Sequence, residues 1–117
     1  MKIQTDLGVI DISADVFTTI SGWAANNCFG VKGMATRSVS DGLVYLLRRD
    51  SLSKGVRVSV AEDDAVNIEL HIAVDHGVNI PAVSRSIISE VRYVVEKLTG
   101  ARVARVDVCV DSIMTES

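Results

Sequence analysis

The sequence has little of what marks a secreted, disulfide-bonded or membrane-spanning protein. Its 117 residues include only two cysteines and one proline. Cys28 and Cys109 form no C-x-x-C pair, so the sequence predicts neither a disulfide framework nor a zinc site. Apolar residues nowhere continue for the roughly 18 positions of a membrane span, and Asp6 and Asp11 interrupt the N-terminal segment where a signal peptide would be apolar. These absences predict a cytoplasmic protein with reduced cysteines and no direct membrane insertion.

The chain also lacks an excess of positive charge. Twelve Lys and Arg stand against 15 Asp and Glu, which gives a formal charge of -3. This balance disfavours nucleic acid or anionic lipid as the main ligand, because both attract basic proteins. We find no internal repeat, low-complexity segment or linker, so residues 1–117 are predicted to form a single domain with an ordinary hydrophobic core.

The first half of the chain reads as one strand followed by two helices. Residues 7–12 predict a short strand, and a helix then begins at Ser13 and continues to about residue 28. Gly30 and Gly33 predict a loop. The segment "SVSDGLVYLLRRD" predicts a second helix, capped by Ser40 and facing inward with Leu43, Leu46 and Leu47.

The second half changes to a period of two. Residues 56–60 and 66–75 alternate apolar and polar side chains, which predicts a hairpin with one buried face. Asn79 then caps a helix that ends at Gly100. The inward stripe of this helix is predicted to be Val83, Ile87, Val91, Val94 and Leu98. A last strand around residues 105–110 runs parallel to the long strand, because a helix connects the two.

The resulting element order is β-α-α-β-β-α-β. It predicts a single α+β domain in which a small mixed sheet is covered by helices on one face. The uncovered face carries side chains of both signs, which makes it a possible interaction surface. Its members are Arg57, Glu69, His71, Arg105 and Asp107.

A search for catalytic or metal-binding patterns finds none that is specific. His71 shares its strand face with Glu69, but a metal site or hydrolase needs more converging groups than this spacing provides. His71 is therefore predicted to be a solvated strand residue. The sequence contains no Walker motif, G-x-S-x-G elbow or EF-hand loop. We expect no catalytic residue, no metal and no cofactor.

One segment supports an alternative function. "GVKG", with Gly30, Lys32 and Gly33, lies between the two predicted helices, and the element order resembles that of a KH RNA-binding domain. The G-x-x-G loop of such a domain clamps the nucleic-acid backbone. However, the second helix of a KH domain starts at that loop, whereas "MATRSVS" intervenes here, and the acidic balance also disfavours RNA.

Three blocks of sequence together resemble the bacterial alkaline shock protein family, also called the envelope stress response family. They are "GVIDISADVFTTISGWAA" followed by "FGVKGM", then "LSKGVRVSVAEDDAVNIELHIAVDHGVNIPAVSRSIISEVRYVVEKLTG", and finally "ARVARVDVCVDSI". The resemblance covers nearly the whole chain, although His76 stands where the family often has tyrosine. It implies a non-enzymatic cytoplasmic protein linked to envelope stress, without a cofactor, which in some members is held near the membrane by a separate anchored partner.

Two classes of function follow from these observations. The resemblance favours a scaffold or adaptor that acts through a protein partner, and "GVKG" favours an RNA-binding module. Self-association is also expected, because a small open sheet ends in strands with unpaired backbone groups, and Pro81 lies outside every predicted strand.

Overall fold

A computed structural model describes residues 1–37 and 42–115, except for the side chain of Asp50. These residues form two α-helices, one 3₁₀ segment and seven strands. In chain order they are β1 (Lys2–Gln4), β2 (Val9–Asp11), α1 (Ala14–Asn26), β3 (Val31–Arg37), β4 (Val44–Leu46), the 3₁₀ segment (Arg49–Gly55), β5 (Val56–Val60), β6 (Val66–Asp75), α2 (Ile80–Thr99) and β7 (Val103–Met114). The predicted α+β class and the small mixed sheet with helices on one face are confirmed.

The long strand β6 organises the sheet. On one edge it pairs with β7 in parallel along its whole length. On the other edge it pairs antiparallel with two strands, β5 at residues 66–70 and β3 at residues 72–74. Because a strand has only two hydrogen-bonding edges, β3 and β5 must follow one another along the same edge. A separate hairpin joins β1 to β2.

The core lies between one face of β6 and the two helices. Val66, Ile68, Leu70 and Ile72 are all at most 1% exposed, as the alternating sequence predicted. Helix α2 contributes Val83, Ile87, Val91 and Val95 to this core. Full burial of each such side chain stabilises the fold by about 2 kcal/mol relative to exposure.

The predicted limits of α2 are confirmed in detail. The Asn79 side chain accepts a hydrogen bond from the Ala82 backbone N–H at 3.0 Å, and Gly100 ends the helix with φ of 74°. One part of the predicted stripe is wrong: Leu98 is 65% exposed, whereas Val95 is fully buried. At 100° per residue, Leu98 lies only about 20° from Val91 around the helix axis, so its exposure follows from its position in the last turn of α2 rather than from its angle.

The prediction of a second helix over residues 38–50 is wrong for the described residues 42–50. Val44–Leu46 forms β4, which pairs antiparallel with β3, and a 3₁₀ segment follows from Arg49. Gly42 adopts a φ of 71°, outside the helical range, and Leu43 and Leu46 are 57% and 41% exposed rather than facing inward. Pairing with β3 therefore outweighs the leucine spacing. The proposed cap Ser40 lies outside the described residues.

The turn from α1 into β3 depends on Gly30. This residue has a φ of 86°, and an added Cβ would lie 2.8 Å from Cγ2 of Val83 on α2. Gly77 also has a positive φ, of 91°, but has no atom within 4 Å of an added Cβ. Substitution of both glycines therefore distinguishes the cost of a positive φ, which the two positions share, from the cost of a steric contact, which only Gly30 has.

We expect Gly30→Ala to destabilise the protein more than Gly77→Ala. Both substitutions carry a backbone penalty of about 1–2 kcal/mol, because a Cβ is disfavoured at positive φ. Gly30→Ala adds an overpacking cost of about 1–3 kcal/mol at the contact with Val83. Chemical denaturation of both variants measures the difference, and equal losses of unfolding free energy would contradict the proposed contact.

Candidate interaction surface

The face of the sheet that the helices leave uncovered carries the predicted interaction surface. In the strand register Arg57 lies opposite Glu69, and Glu69 lies opposite Asp107. His71 and Arg105 are on the same face, because His71 is two residues from Glu69 and Arg105 is two residues from Asp107. The structure thus brings all five predicted residues together across three neighbouring strands.

Opposite charges on this surface form ion pairs. Nε of Arg105 donates a hydrogen bond to Oδ1 of Asp107 at 2.8 Å, and Nε of Arg57 lies 4.0 Å from Oε2 of Glu69. Solvent reaches both pairs and screens them, so they add little to the stability of the fold. Their main effect is to arrange charge on the surface rather than to hold the sheet together.

His71 is held between two carboxylates. Its Nε2 lies 2.9 Å from Oε2 of Glu69, and its Nδ1 lies 3.0 Å from Oδ2 of Asp111. The imidazole is 29% exposed and the Asp111 side chain 18% exposed. The prediction of a freely solvated histidine is therefore wrong, because both ring nitrogens have partners within the protein.

The two carboxylates change the pKa of His71. Partial burial by itself lowers this pKa, but the hydrogen bonds to Glu69 and Asp111 and their negative charges outweigh it. The pKa of His71 is consequently raised above its ordinary value. The positive imidazolium is the form that the folded protein favours, since each N–H then faces a carboxylate.

Cys109 completes a compact group around His71. It is the register partner of His71 on β7, and a thiol, an imidazole nitrogen and a carboxylate oxygen from Cys109, His71 and Glu69 all lie within 4.8 Å of one another. Burial, followed by the charges of Glu69, Asp111 and Asp107, raises the pKa of the Cys109 thiol. The thiol is therefore protonated and weakly nucleophilic at neutral pH.

A polar cleft of about 290 Å³ opens beside His71 and Asp111. Its remaining wall carries basic side chains from three different elements: Arg37, Lys54 and Arg57. The cleft therefore joins a basic side to an acidic side. This arrangement could not be read from the sequence, since it depends on β3 and β5 sharing one edge of β6.

Asp111 is the member of this group that sequence reasoning missed. The predicted strand stopped near residue 110, whereas β7 continues to Met114. The register shifts here, because Ile72 pairs with Val110 but Ala73 pairs with Ser112. Asp111 is the extra residue of this bulge, and it turns toward His71. The alternation stops after Val110, since Asp111 and Ser112 are both polar and Ile113 and Met114 both apolar, so no local pattern marked the longer strand.

The predicted G-x-x-G loop is also wrong as a structural element. Gly30 closes a turn, but Val31, Lys32 and Gly33 belong to β3, and β3 pairs with β6. A Cβ on Gly33 would meet Cδ2 of Leu46 at 3.3 Å, so this glycine permits the close approach of β4. A strand rather than a helix follows Gly30, which removes the structural basis of the KH comparison.

An apolar groove separates the outer sides of α1 and α2. It has a volume of about 600 Å³ and is lined mainly by Ile20, Trp23, Val94 and Leu98. Trp23 is 52% exposed, and the Arg49 guanidinium lies 6.0 Å from the centre of its ring. The sequence pattern predicted Leu98 to lie in the core, so only the structure reveals this groove.

No helix among the described residues is long and apolar enough to cross a membrane.

Replacement of His71 by Gln should reduce stability in a pH-dependent way. A raised folded-state pKa means that the stabilising contribution is fully present below the unfolded pKa of about 6.5 and is lost as pH rises through the folded pKa. The variant should therefore lose most stability near about pH 5.5, where the unfolded histidine is protonated, and least near about pH 9.

Urea unfolding of both proteins across this pH range, with a chelator present, measures the effect. His76→Gln is the matched control, since His76 lies in the loop before α2, away from this group. A loss that is independent of pH, or one that grows toward alkaline pH, would contradict the role assigned to the two carboxylates.

Comparison with known proteins agrees with this architecture. The model of the alkaline shock protein family, described as having a cell envelope-related function, matches residues 2–115. An uncharacterized protein of Streptococcus pyogenes serotype M6, Spy1614, is 35% identical over 114 residues, which cover 97% of this chain and 93% of the relative. The uncharacterized protein YloU of Bacillus subtilis strain 168 is 33% identical over 114 residues, covering 97% and 94%. No solved structure matches. The chain therefore belongs to the alkaline shock protein family, which has a cell envelope-related function.

Proposed function

We propose that this protein is a non-enzymatic scaffold of the envelope stress response that assembles through the outer edge of β7. The observation that carries the proposal is the length of that edge. β7 has 12 residues and, among the residues described, pairs only with β6. Its outer edge therefore presents unpaired backbone groups to which another strand can bind.

The β7 strand of a second copy of the chain is complementary in charge to this edge. The register with β6 is continuous from Arg105 to Val110, which is a flat stretch of roughly 20 Å at the usual rise per residue. Arg105 and Asp107 lie two residues apart on the same face and have opposite charges. If two copies pair antiparallel about Val106, Arg105 of each copy lies opposite Asp107 of the other. Pairing about Asp107 would instead oppose two aspartates.

The state of the polar groups supports a role without catalysis. Glu69 and Asp111 each contact one ring nitrogen of His71, and the Cys109 thiol is held in its less nucleophilic form. A catalytic cysteine requires the opposite, namely a thiol whose pKa is lowered beside its base, and Nε2 of His71 faces Glu69 instead. The scaffold acts in the cytoplasm, and a separate membrane-anchored protein is the partner that brings it to the membrane.

Charge reversal at the β7 edge tests the assembly. Arg105→Asp should weaken self-association about tenfold or more, because two attractive cross-strand pairs become repulsive. Asp107→Arg should act similarly. The double variant that exchanges the two residues should restore association, since it re-creates both pairs in the opposite direction. Sedimentation velocity at several protein concentrations measures each variant.

Arg57→Asp is the matched control for this series. It reverses an arginine that is likewise exposed on the same face of the sheet, but on β5 rather than at the outer edge of β7. We expect its sedimentation to resemble that of the wild type. A wild-type protein that stays monomeric at every concentration would refute the proposed assembly. Failure of the double variant to restore association would refute the pairing about Val106.

We expect no RNA binding that depends on Lys32. This side chain projects from a strand beside a register shift, and no helix N-terminus follows it to hold a phosphate. Lys32→Glu and the control Lys54→Glu should therefore change the fluorescence anisotropy of labelled single-stranded RNA equally little. Tight, salt-sensitive binding that only Lys32→Glu abolishes would favour the RNA-binding alternative instead.

A further inference from the structure

We propose that Glu69, His71 and Cys109 bind a thiophilic divalent cation of the zinc type, and that Asp111 orients His71 for this purpose. The inference departs from the expectation, drawn from the sequence, that no metal binds. It rests on the convergence of the three ligand atoms, which all lie within 4.8 Å of one another. Such spacing requires only small side-chain movements to surround one ion.

The chemistry of the three groups matches the preference of one class of metal. Zinc binds thiolate, imidazole and carboxylate ligands at distances of about 2.0–2.3 Å, and three protein ligands leave a fourth position for water or another molecule. A thiolate disfavours Mg²⁺ and Ca²⁺, which prefer oxygen ligands alone. Partial exposure of His71 and Glu69, at 29% and 40%, leaves a path from solvent to the ion.

Asp111 supplies the hydrogen bond that a histidine ligand needs on its other nitrogen. Its Oδ2 lies 3.0 Å from Nδ1 of His71, on the opposite side of the ring from Glu69. When Asp111 accepts a hydrogen bond from Nδ1–H, the lone pair is placed on Nε2, which faces Glu69. Carboxylate–histidine–metal arrangements of this kind fix both the tautomer and the ring orientation of the ligand.

The strand register holds the ligands in place. His71 on β6 and Cys109 on β7 are direct register partners, and Glu69 lies two residues before His71, on the same face of the sheet. All three therefore stand on paired backbone rather than on loops, which favours a defined geometry. Arg57 is the nearest competing cation in contact with Glu69, but its contact is long, at 4.0 Å, and its side chain is 83% exposed. It is able to move away when an ion binds.

Cobalt(II) is the probe for this site, because it replaces zinc and reports its ligands by absorption. Metal-free protein, kept reduced without added thiol and without oxygen, is titrated with cobalt and then with zinc in competition. We expect saturable binding of one ion per chain and a near-ultraviolet band from thiolate-to-cobalt charge transfer. Cys109→Ser should remove that band and weaken zinc binding at least tenfold. Asp111→Asn should keep the band and weaken affinity about 10–100-fold.

Cys28→Ser is the matched control, since it removes the other cysteine, which lies just after α1. It should leave both the band and the affinity unchanged. Absence of saturable binding in the wild type, or binding that survives Cys109→Ser and is lost in Cys28→Ser, would overturn the proposal. If Cys109→Ser does not fold by circular dichroism, X-ray absorption of the zinc-loaded wild type decides: a coordination shell without sulfur would equally overturn it.

Discussion

Pairing of β6 on both of its edges is the constraint on which the rest of the structure depends. This strand contacts β3, β5 and β7 through its backbone, and its apolar face is covered by both helices. Its backbone groups therefore find partners within the protein, as burial requires. Helices α1 and α2 have to lie on the same side, because only that side of β6 carries valine, isoleucine and leucine. The shape of the domain follows from one ten-residue sequence.

The same alternation produces the polar face. Each apolar residue of β6 that points to the helices alternates with one that points away, so Glu69 and His71 are placed on the opposite side by the burial of Ile68, Leu70 and Ile72. A slip of one residue would bury charges and expose the core, and this ties the chemistry of the surface to the packing beneath it. Packing of the core therefore determines which face of the sheet carries Glu69 and His71.

Sequence reasoning succeeded where one period continued for many residues. The alternation of residues 66–75 and the marked ends of α2, from Asn79 to Gly100, predicted element type and limits, and they predicted the buried face except at the end of α2, where Val95 rather than Leu98 is buried. It failed over residues 42–50, where the spacing of leucines favoured a helix but pairing with β3 decided the structure. The five residues of the polar face were predicted from periodicity alone. Asp111 and the nearness of Cys109 to His71 were not, because a bulge and a parallel register between distant segments leave no local pattern.

The parallel pairing of β6 and β7 also determines the order in which the sheet can form. β5 and β6 are joined by a tight turn, in which Ala61 N–H donates to the Ala65 carbonyl, so their contacts are local. β7 reaches β6 only after the whole of α2 has been made, and closing so long a connection is slow compared with forming a hairpin. Until then, the edge of β6 that pairs with β7 in the folded protein has no partner strand. During synthesis, the edge of β6 that β7 later covers therefore stays open to misdirected pairing until α2 and β7 have been made.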